Sequence, residues 1–481
     1  MRGNPVMAAR KLTLAALVCA ALGVAGTAHA QQSSTFDNLL EKLKDKGVLS
    51  EDEYNALKSA RDEEIQQQRA DRRQRALKEA QAAEAQEKAA EKAAAATKVD
   101  ISPVVRSMQF YGDVRTRYET RAGDNGAGTN QSLDRYRYAV RLGVKGDLTE
   151  KWYYGLRLET SSSARSTWIT FGGDTNNGSP SNKGQDTINV GQAYFGWRPT
   201  DWIDLTLGRM PNPFFTAGVL VWDPDINPEG AAEKLSFAVN DSLTVFGNFG
   251  QFLYQDNSPA ASSSSNANLN FESQDQYLIG WQAGASYKFT PDTSIKAALS
   301  YYQYNGNPGT GTLKGPFYLA GNNTGINDLG IVDVPVELKT KLGDYALTFY
   351  ADYATNTKGS DRAKAAGQGQ YDDQVNAYML GVGLGSLKKK GDWETRLYWQ
   401  KTEAFALDTN LVDSDLFDGR TNIEGWYASA AYNFTDAIFT LIRYGTAKPV
   451  NDNLRTPGAG DLSLTNLNSF NLLQMDVGMR F

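Results

Sequence analysis

The side chains that most often run chemistry are nearly absent from this chain. Cys19 and His29 are the only cysteine and the only histidine in 481 residues. Both fall inside a segment that reads as a secretory leader, residues 1–30. Arg2, Arg10 and Lys11 supply a positive start, Leu12 to Gly26 an apolar stretch, and Ala28-His29-Ala30 a small-x-small cleavage site. A chain beginning at Gln31 would hold neither residue. That excludes a Cys/His zinc site, a Ser-His-Asp triad, a cysteine nucleophile and a disulfide. Carboxylate, lysine and tyrosine chemistry remain possible, whereas most familiar hydrolase and redox mechanisms do not; the expectation is a protein that is not an enzyme, with no catalytic residue, no cofactor and no metal.

What remains is charge, and it is patterned. Arg115, Arg117, Arg135, Arg137, Arg141 and Arg157 crowd one short region, mostly at alternate positions. Alternation puts side chains on one face of a strand. Like charges so close repel each other, so the ladder needs facing carboxylates or water. Glu119 and Glu159 are interleaved with it and placed to neutralise part of it. A second acidic group, Asp223, Asp225 and Glu229, follows further along, with Pro224 stiffening the turn. The formal net charge of -6 becomes -9 once a leader with three basic and no acidic residues is removed. That disfavours nucleic acid as a partner, which needs a basic face.

The elements that must hold these charges come in two textures. Residues 31–106 are polar and read as helical. Gly47 fits a helix C-cap, and Ser50-Glu51-Asp52-Glu53 fits a capping box. From Arg61 to Lys98 the Ala, Glu, Gln, Arg and Lys content favours one long helix of roughly 55 Å. It is either a solvated spacer or an Ala-rich coiled coil. From residue 107 to 481 the pattern alternates. Tyr136, Tyr138, Val140, Leu142 and Val144 share one face, while Arg135, Arg137, Arg141 and Lys145 share the other. At the end, Leu473, Met475, Val477, Met479 and Phe481 oppose Gln474, Asp476, Gly478 and Arg480. No apolar run outside the leader is long enough for a membrane helix, and mean hydropathy is -0.48.

A soluble sandwich would alternate too, so connection lengths decide. Short links such as Pro199-Thr200-Asp201, Thr290-Pro291-Asp292 and Thr435-Asp436 alternate with long polar ones such as Ser161 to Asp186, Gln255 to Ser273 and Asn305 to Leu329. Tight turns on one side and long loops on the other mark a transmembrane barrel. Aromatic residues at strand ends, among them Trp152, Trp197, Trp202, Trp393 and Trp426, suit interfacial girdles. The fold class is all-β: an antiparallel barrel of about 16 strands, beginning near residues 108, 134, 152, 188, 202, 230, 243, 276, 293, 331, 345, 373, 393, 424, 437 and 469. Gly381-Val382-Gly383-Leu384-Gly385 lacks the Lys-Ser or Lys-Thr ending of a phosphate loop and reads as a close-packed strand. Tyr153, Tyr302, Tyr398 and Tyr427 are too dispersed for a sugar track and read as packing residues.

Phe110-Tyr111-Gly112, Gln192-Ala193-Tyr194-Phe195-Gly196 and Leu207-Gly208-Arg209 resemble porin strand motifs. Residues 108–481 look like the general porins of Gram-negative outer membranes, above all the putative-porin group whose barrel follows a helical or coiled-coil segment. The resemblance implies a water-filled channel for passive diffusion of small hydrophilic solutes and ions. It implies a homotrimer in contact with outer-membrane lipid and lipopolysaccharide, with residues 31–106 in the periplasm and within reach of peptidoglycan. Phe481 resembles the aromatic end by which the barrel assembly machinery recognises clients. The resemblance further implies a third long loop, Met210 to Glu229, folded inward. Its Asp223, Asp225 and Glu229 would then face the basic wall of Arg115, Arg117, Arg135, Arg137, Arg141 and Arg157 across a constriction. The alternatives are a channel selective for anions or sugars, and an envelope tether that uses the helical arm.

Overall fold

In the computed structural model, residues 41–48, 50–60, 62–63, 66–67, 103–161, 166–172, 186–256, 275–305, 318–319, 322–323, 329–458, 460–464 and 466–481 are described. Residues 1–40, most of 61–102 and parts of four long loops lie outside them, and with them the expected leader and the expected long helix from Arg61 to Lys98. The chain separates into two units, residues 1–96 and 97–481.

In the first unit, residues 41–45 and 51–60 are helical. The first helix ends in a Schellman motif: the Val48 amide donates to the Leu43 carbonyl, the Gly47 amide to Lys44, and Gly47 sits at φ +67°. The second opens on the expected capping box. The Glu53 amide donates to Ser50 Oγ, and the Ser50 amide donates to Glu53 Oε2 at 2.9 Å.

In the second unit, sixteen strands form one closed antiparallel sheet. They are β1 Gln109–Asp124, β2 Asn130–Asp147, β3 Trp152–Thr160, β4 Ile188–Thr200, β5 Ile203–Arg209, β6 Glu229–Ala238, β7 Leu243–Gln255 and β8 Gln276–Thr290, then β9 Thr293–Asn305, β10 Gly330–Leu342, β11 Tyr345–Asn356, β12 Asn376–Gly385, β13 Trp393–Thr402, β14 Ile423–Asn433, β15 Ile438–Pro449 and β16 Ser469–Arg480. A two-residue piece, Ile169–Thr170, adds to the upper edge of β2. Closure comes from β1 against β16, with Arg117 opposite Asp476 and Tyr118 opposite Met475. Among the described residues no helix is long and apolar enough to cross a membrane; the strands do the crossing.

Faces follow the alternation. Tyr136 and Leu142 point outward and are exposed, whereas Arg117, Arg121 and Arg137 point inward and are buried. Outward rings stack at the short-turn end: Trp152 on Trp197 at 5.7 Å and Trp202 on Phe237 at 4.7 Å. The strict alternation of short and long links has one exception. The first outer link, 125–129, is a tight turn closed by the Asn125 amide on the Thr129 carbonyl.

The inner wall carries a repeated device. Tyr111 lies opposite Gly143, Tyr153 opposite Gly196, Tyr194 opposite Gly155, Tyr350 opposite Gly381 and Phe439 opposite Gly478. Each ring lies across its glycine so closely that an added Cβ would fall 2.2–2.4 Å from the ring, or 2.1 Å at Gly381. The glycine-rich stretch of β12 is thus a packed strand: Gly381 makes room for Tyr350. Replacing Gly143 by Val displaces the Tyr111 ring and should destabilise the barrel by about 1–3 kcal/mol. The heat needed to unfold the barrel, read as the gel shift between folded and unfolded forms, should drop. An unchanged transition would contradict this packing.

Candidate functional site

The arginine ladder stands on the inner faces of β1, β2 and β3, and it is covered. Arg117 donates to Asp476 at 2.7 Å across the β1/β16 closure and reaches Asp415 at 3.1 Å. Arg121, fully enclosed, holds Glu119 at 3.2 Å, Asp415 at 3.1 Å and Asp418 at 3.1 Å. Arg135 pairs with Glu119 at 2.5 Å and with Asp461. Arg141 pairs with Asp225 at 2.6 Å, and Arg157 with Glu159 at 2.9 Å. Arg115 pairs with Asp113 at 2.6 Å. Arg137 lies 3.7 Å from Glu119 and donates to the Trp168 carbonyl. The Trp168 ring covers Arg117, whose guanidinium carbon sits 3.8 Å from the ring centre.

Four segments therefore fold inward onto one wall: residues 166–170, loop 210–228, loop 403–422 and loop 450–468. The inward fold of loop 210–228 is as the sequence suggested. Its acids, however, part company. Asp225 meets Arg141. Asp223 meets no arginine; its carboxylate accepts the Ser414 amide and hydroxyl at 3.1 Å and the Asp225 amide at 2.8 Å. Glu229 opens β6 on the same face as the exposed Leu235 and Phe237, so it points out of the barrel and pairs with Arg209. The expected opposition of Glu229 to the ladder does not occur, because strand parity turns it outward. Besides Glu119 and Glu159 on the ladder strands themselves, the partners include Asp415 and Asp418 from loop 403–422, Asp461 from loop 450–468, and Asp476 from β16. Asp476 was visible as a member of the polar face of the last strand. The loop aspartates carry no local signal, since loop acids are common and only the tertiary path of the loop selects these.

The sequence matches a family described as "Putative porin" over residues 124–314 and 326–481. That is well over half of the chain. This protein is a porin. No curated protein matches it. Among solved structures it is similar to OprB of Pseudomonas putida, at 12% identity, covering 77% of this chain and 94% of that one, with a TM-score of 0.44. An anion-selective porin from Comamonas acidovorans gives 12% identity, 78% and 99% coverage and a TM-score of 0.44. A triple mutant of the Rhodopseudomonas blastica porin gives 10% identity, 78% and 100% coverage and a TM-score of 0.38. The porin fold places the barrel in the outer membrane and makes the chain a channel protein, not an enzyme.

In this porin the two deepest loops lock to each other as well as to the wall. The Asp223 amide donates to the Leu411 carbonyl at 2.6 Å. Burial, with Asp413 and Asp225 nearby, pushes the Asp223 carboxyl up from 3.8 to about 8. Burial and Asp415 push Asp413 up to about 6. For Asp415 burial alone would act in the same direction, but Arg117, Arg121 and Arg443 outweigh it and hold its carboxyl far below the ordinary range. On the opposite wall, Phe214 and Trp222 of loop 210–228 pack edge-on against the buried Tyr302 at 5.2 and 5.6 Å. Of Tyr153, Tyr302, Tyr398 and Tyr427, Tyr302 thus lies beneath this loop, Tyr398 stacks on Tyr427 at 4.7 Å, and Tyr153 bonds Asp204 and Thr206.

Two outcomes follow for this clamp. Arg121→Met leaves Glu119 and Asp418 buried with one partner fewer, which costs about 3–5 kcal/mol; the barrel should melt earlier and protease should cut within 403–422. The Asp223 carboxyl titrates higher folded than unfolded, so the folded state holds more protons between about pH 4 and pH 8. Stability of the loop junction therefore falls as pH rises through that window. Hydrogen exchange of the 411–416 amides, corrected for intrinsic pH dependence, should speed up from pH 4 to 8 in the native protein and clearly less in Asp223→Asn, where only Asp413 still titrates in that window. Equal profiles would refute the assignment.

Proposed function

We propose that this porin is a general diffusion channel, trimeric, passing small hydrophilic solutes and ions down their gradients. The observation that carries the reading is a closed sixteen-strand wall with charged and amide side chains inside and aliphatic and aromatic ones outside. A barrel of about 16 strands leaves room for an aqueous channel. The short turns then lie in the periplasm and the long loops outside.

Within that reading, the basic wall divides into two roles. Arg115, Arg135, Arg141 and Arg157 keep 12–18% side-chain exposure and border the water path together with Asp225. Arg117 and Arg137 are buried and act as anchors for the inward loops. Asp223 serves the loop junction, and Glu229 the outer rim. Phe481 is outward-facing and exposed, which suits an assembly signal, and its amide pairs with the Gly112 carbonyl at 3.1 Å. Residues 1–30 are a signal peptide and residues 31–106 a periplasmic arm. The barrel assembly machinery, lipopolysaccharide and peptidoglycan are the partners this layout calls for.

Planar-bilayer recording of the purified, folded protein tests the proposal. Large steps that close in three levels are expected. Verified folded barrels that pass no current would overturn the channel reading, and single-level closure would overturn the trimer.

A further inference from the structure

The ladder that first draws the eye is close to neutral, because each of its arginines lies within 4 Å of a carboxylate. Cations with no ion-pair partner among the described residues lie nearer the short turns. Lys145 of β2, Lys234 of β6, Lys288 of β8 and Lys296 of β9 stand within four residues of the short-turn ends of their strands. All four have the parity of the inner face: Lys145 with Arg141, Lys234 with the buried Ala232, Lys288 with the buried Gln282, and Lys296 with the buried Ala298. None is fully buried.

The carboxylates in register with these lysines are already engaged. Asp204, in register with Lys234, is bonded by Arg198 at 3.2 Å. Arg198 also stands 3.8 Å from Asp147. Glu337, in register with Lys296, is taken by Lys339 at 2.7 Å. Glu394 is held by Arg396 and Asp292 by Lys341, each at 2.6 Å. Among the described residues, no carboxylate oxygen lies within 4 Å of the four lysines; Lys145 faces the Tyr111 ring, and Lys296 faces Phe215 and Phe246. Lys234 also borders a cavity of about 790 Å³ at this end, shared with Arg106, Lys151 and Arg198 and with Asp147, Glu150, Asp201 and Asp204.

We propose that Lys145, Lys234, Lys288 and Lys296 form a cationic collar at the periplasmic mouth that sets the ion preference of the channel and favours small anions. The inference rests on the channel reading above. Paired charges cancel within a few ångströms, whereas a ring of unpaired ones in a low-dielectric wall focuses its field on the water path. With a Debye length of about 10 Å at 0.1 M salt, each lysine acts on ions that pass within that distance of the wall. Selectivity is then decided by the narrow or strongly charged ring with net charge, not by the ring with most charges.

The test is the zero-current potential in a KCl gradient, measured for the full chain and for Lys145→Gln/Lys234→Gln/Lys288→Gln/Lys296→Gln. The native channel should prefer chloride. The fourfold variant should retain conductance steps while its chloride-over-potassium permeability ratio falls by about two-fold or more. A fourfold glutamate variant should invert the preference. A native channel that prefers potassium, or a glutamine variant with unchanged reversal, would overturn the collar and leave the channel standing. Absence of current from the folded native protein would instead remove the channel reading itself.

Discussion

A chain that crosses a bilayer with strands cannot leave a sheet edge facing hydrocarbon, since each unpaired amide there costs several kcal/mol. Everything else in this porin hangs on that constraint. It forces β1 to find β16, and their register brings Arg117 against Asp476 from opposite ends of the barrel sequence. The same closure fixes parity, so one alternation sends tyrosine and leucine to lipid and arginine to the interior. Glu229 shows how rigid that assignment is. An acid at the junction of loop and strand is swung to the outside by its odd place in β6.

An interior rich in guanidinium groups then needs compensation, and the protein supplies it at two ranges. Locally, opposite charges two residues apart on one strand pair with each other: Asp113 with Arg115, Arg157 with Glu159, Glu337 with Lys339, Glu394 with Arg396. A period of two puts such partners on one face. At long range, loop aspartates fold back into the barrel to meet the remaining arginines. Such buried pairs add little net stability, but removing one partner is expensive, which suits them to fixing where loops lie.

Much of this was legible in the residues. The sixteen strand starts read from alternation and turn chemistry fall close to those observed, including the sixth and tenth, at Glu229 and Gly330. The largest gap is at β2, where Asn130 to Leu133 lack apolar alternation yet extend the strand by pairing with Asp124 to Arg121. The tight link at 125–129 went unnoticed for the same reason. The ladder and its local partners Glu119 and Glu159 were visible, as was the inward course of loop 210–228 by resemblance. The second inward loop, 403–422, was not: its apolar residues set it apart from the Ser- and Asn-rich links, but they do not say which wall it covers. Its Leu407, Leu411, Leu416 and Phe417 become a signal only once they are seen buried. The pairing of rings with glycines was latent in the high counts of both, 24 Tyr and 45 Gly, but register is needed to see it.

The meeting of Arg117 with Asp415 and Asp476 also has a temporal side. Those contacts span about three hundred residues or more of chain, |i−j| of 298 and 359. The pair with Asp476 cannot form until the last strand has been delivered. Pairings so distant in sequence are reached late, after neighbouring hairpins have zipped. Loop 403–422 brings Asp415 and Asp418 to arginines of β1, the strand that closes against β16, so its seat is complete only once that seam is paired. Sealing the wall thus also completes the seat of the loop, and a chain cut short before its last strand would lose the seam and the Arg117–Asp476 pair together.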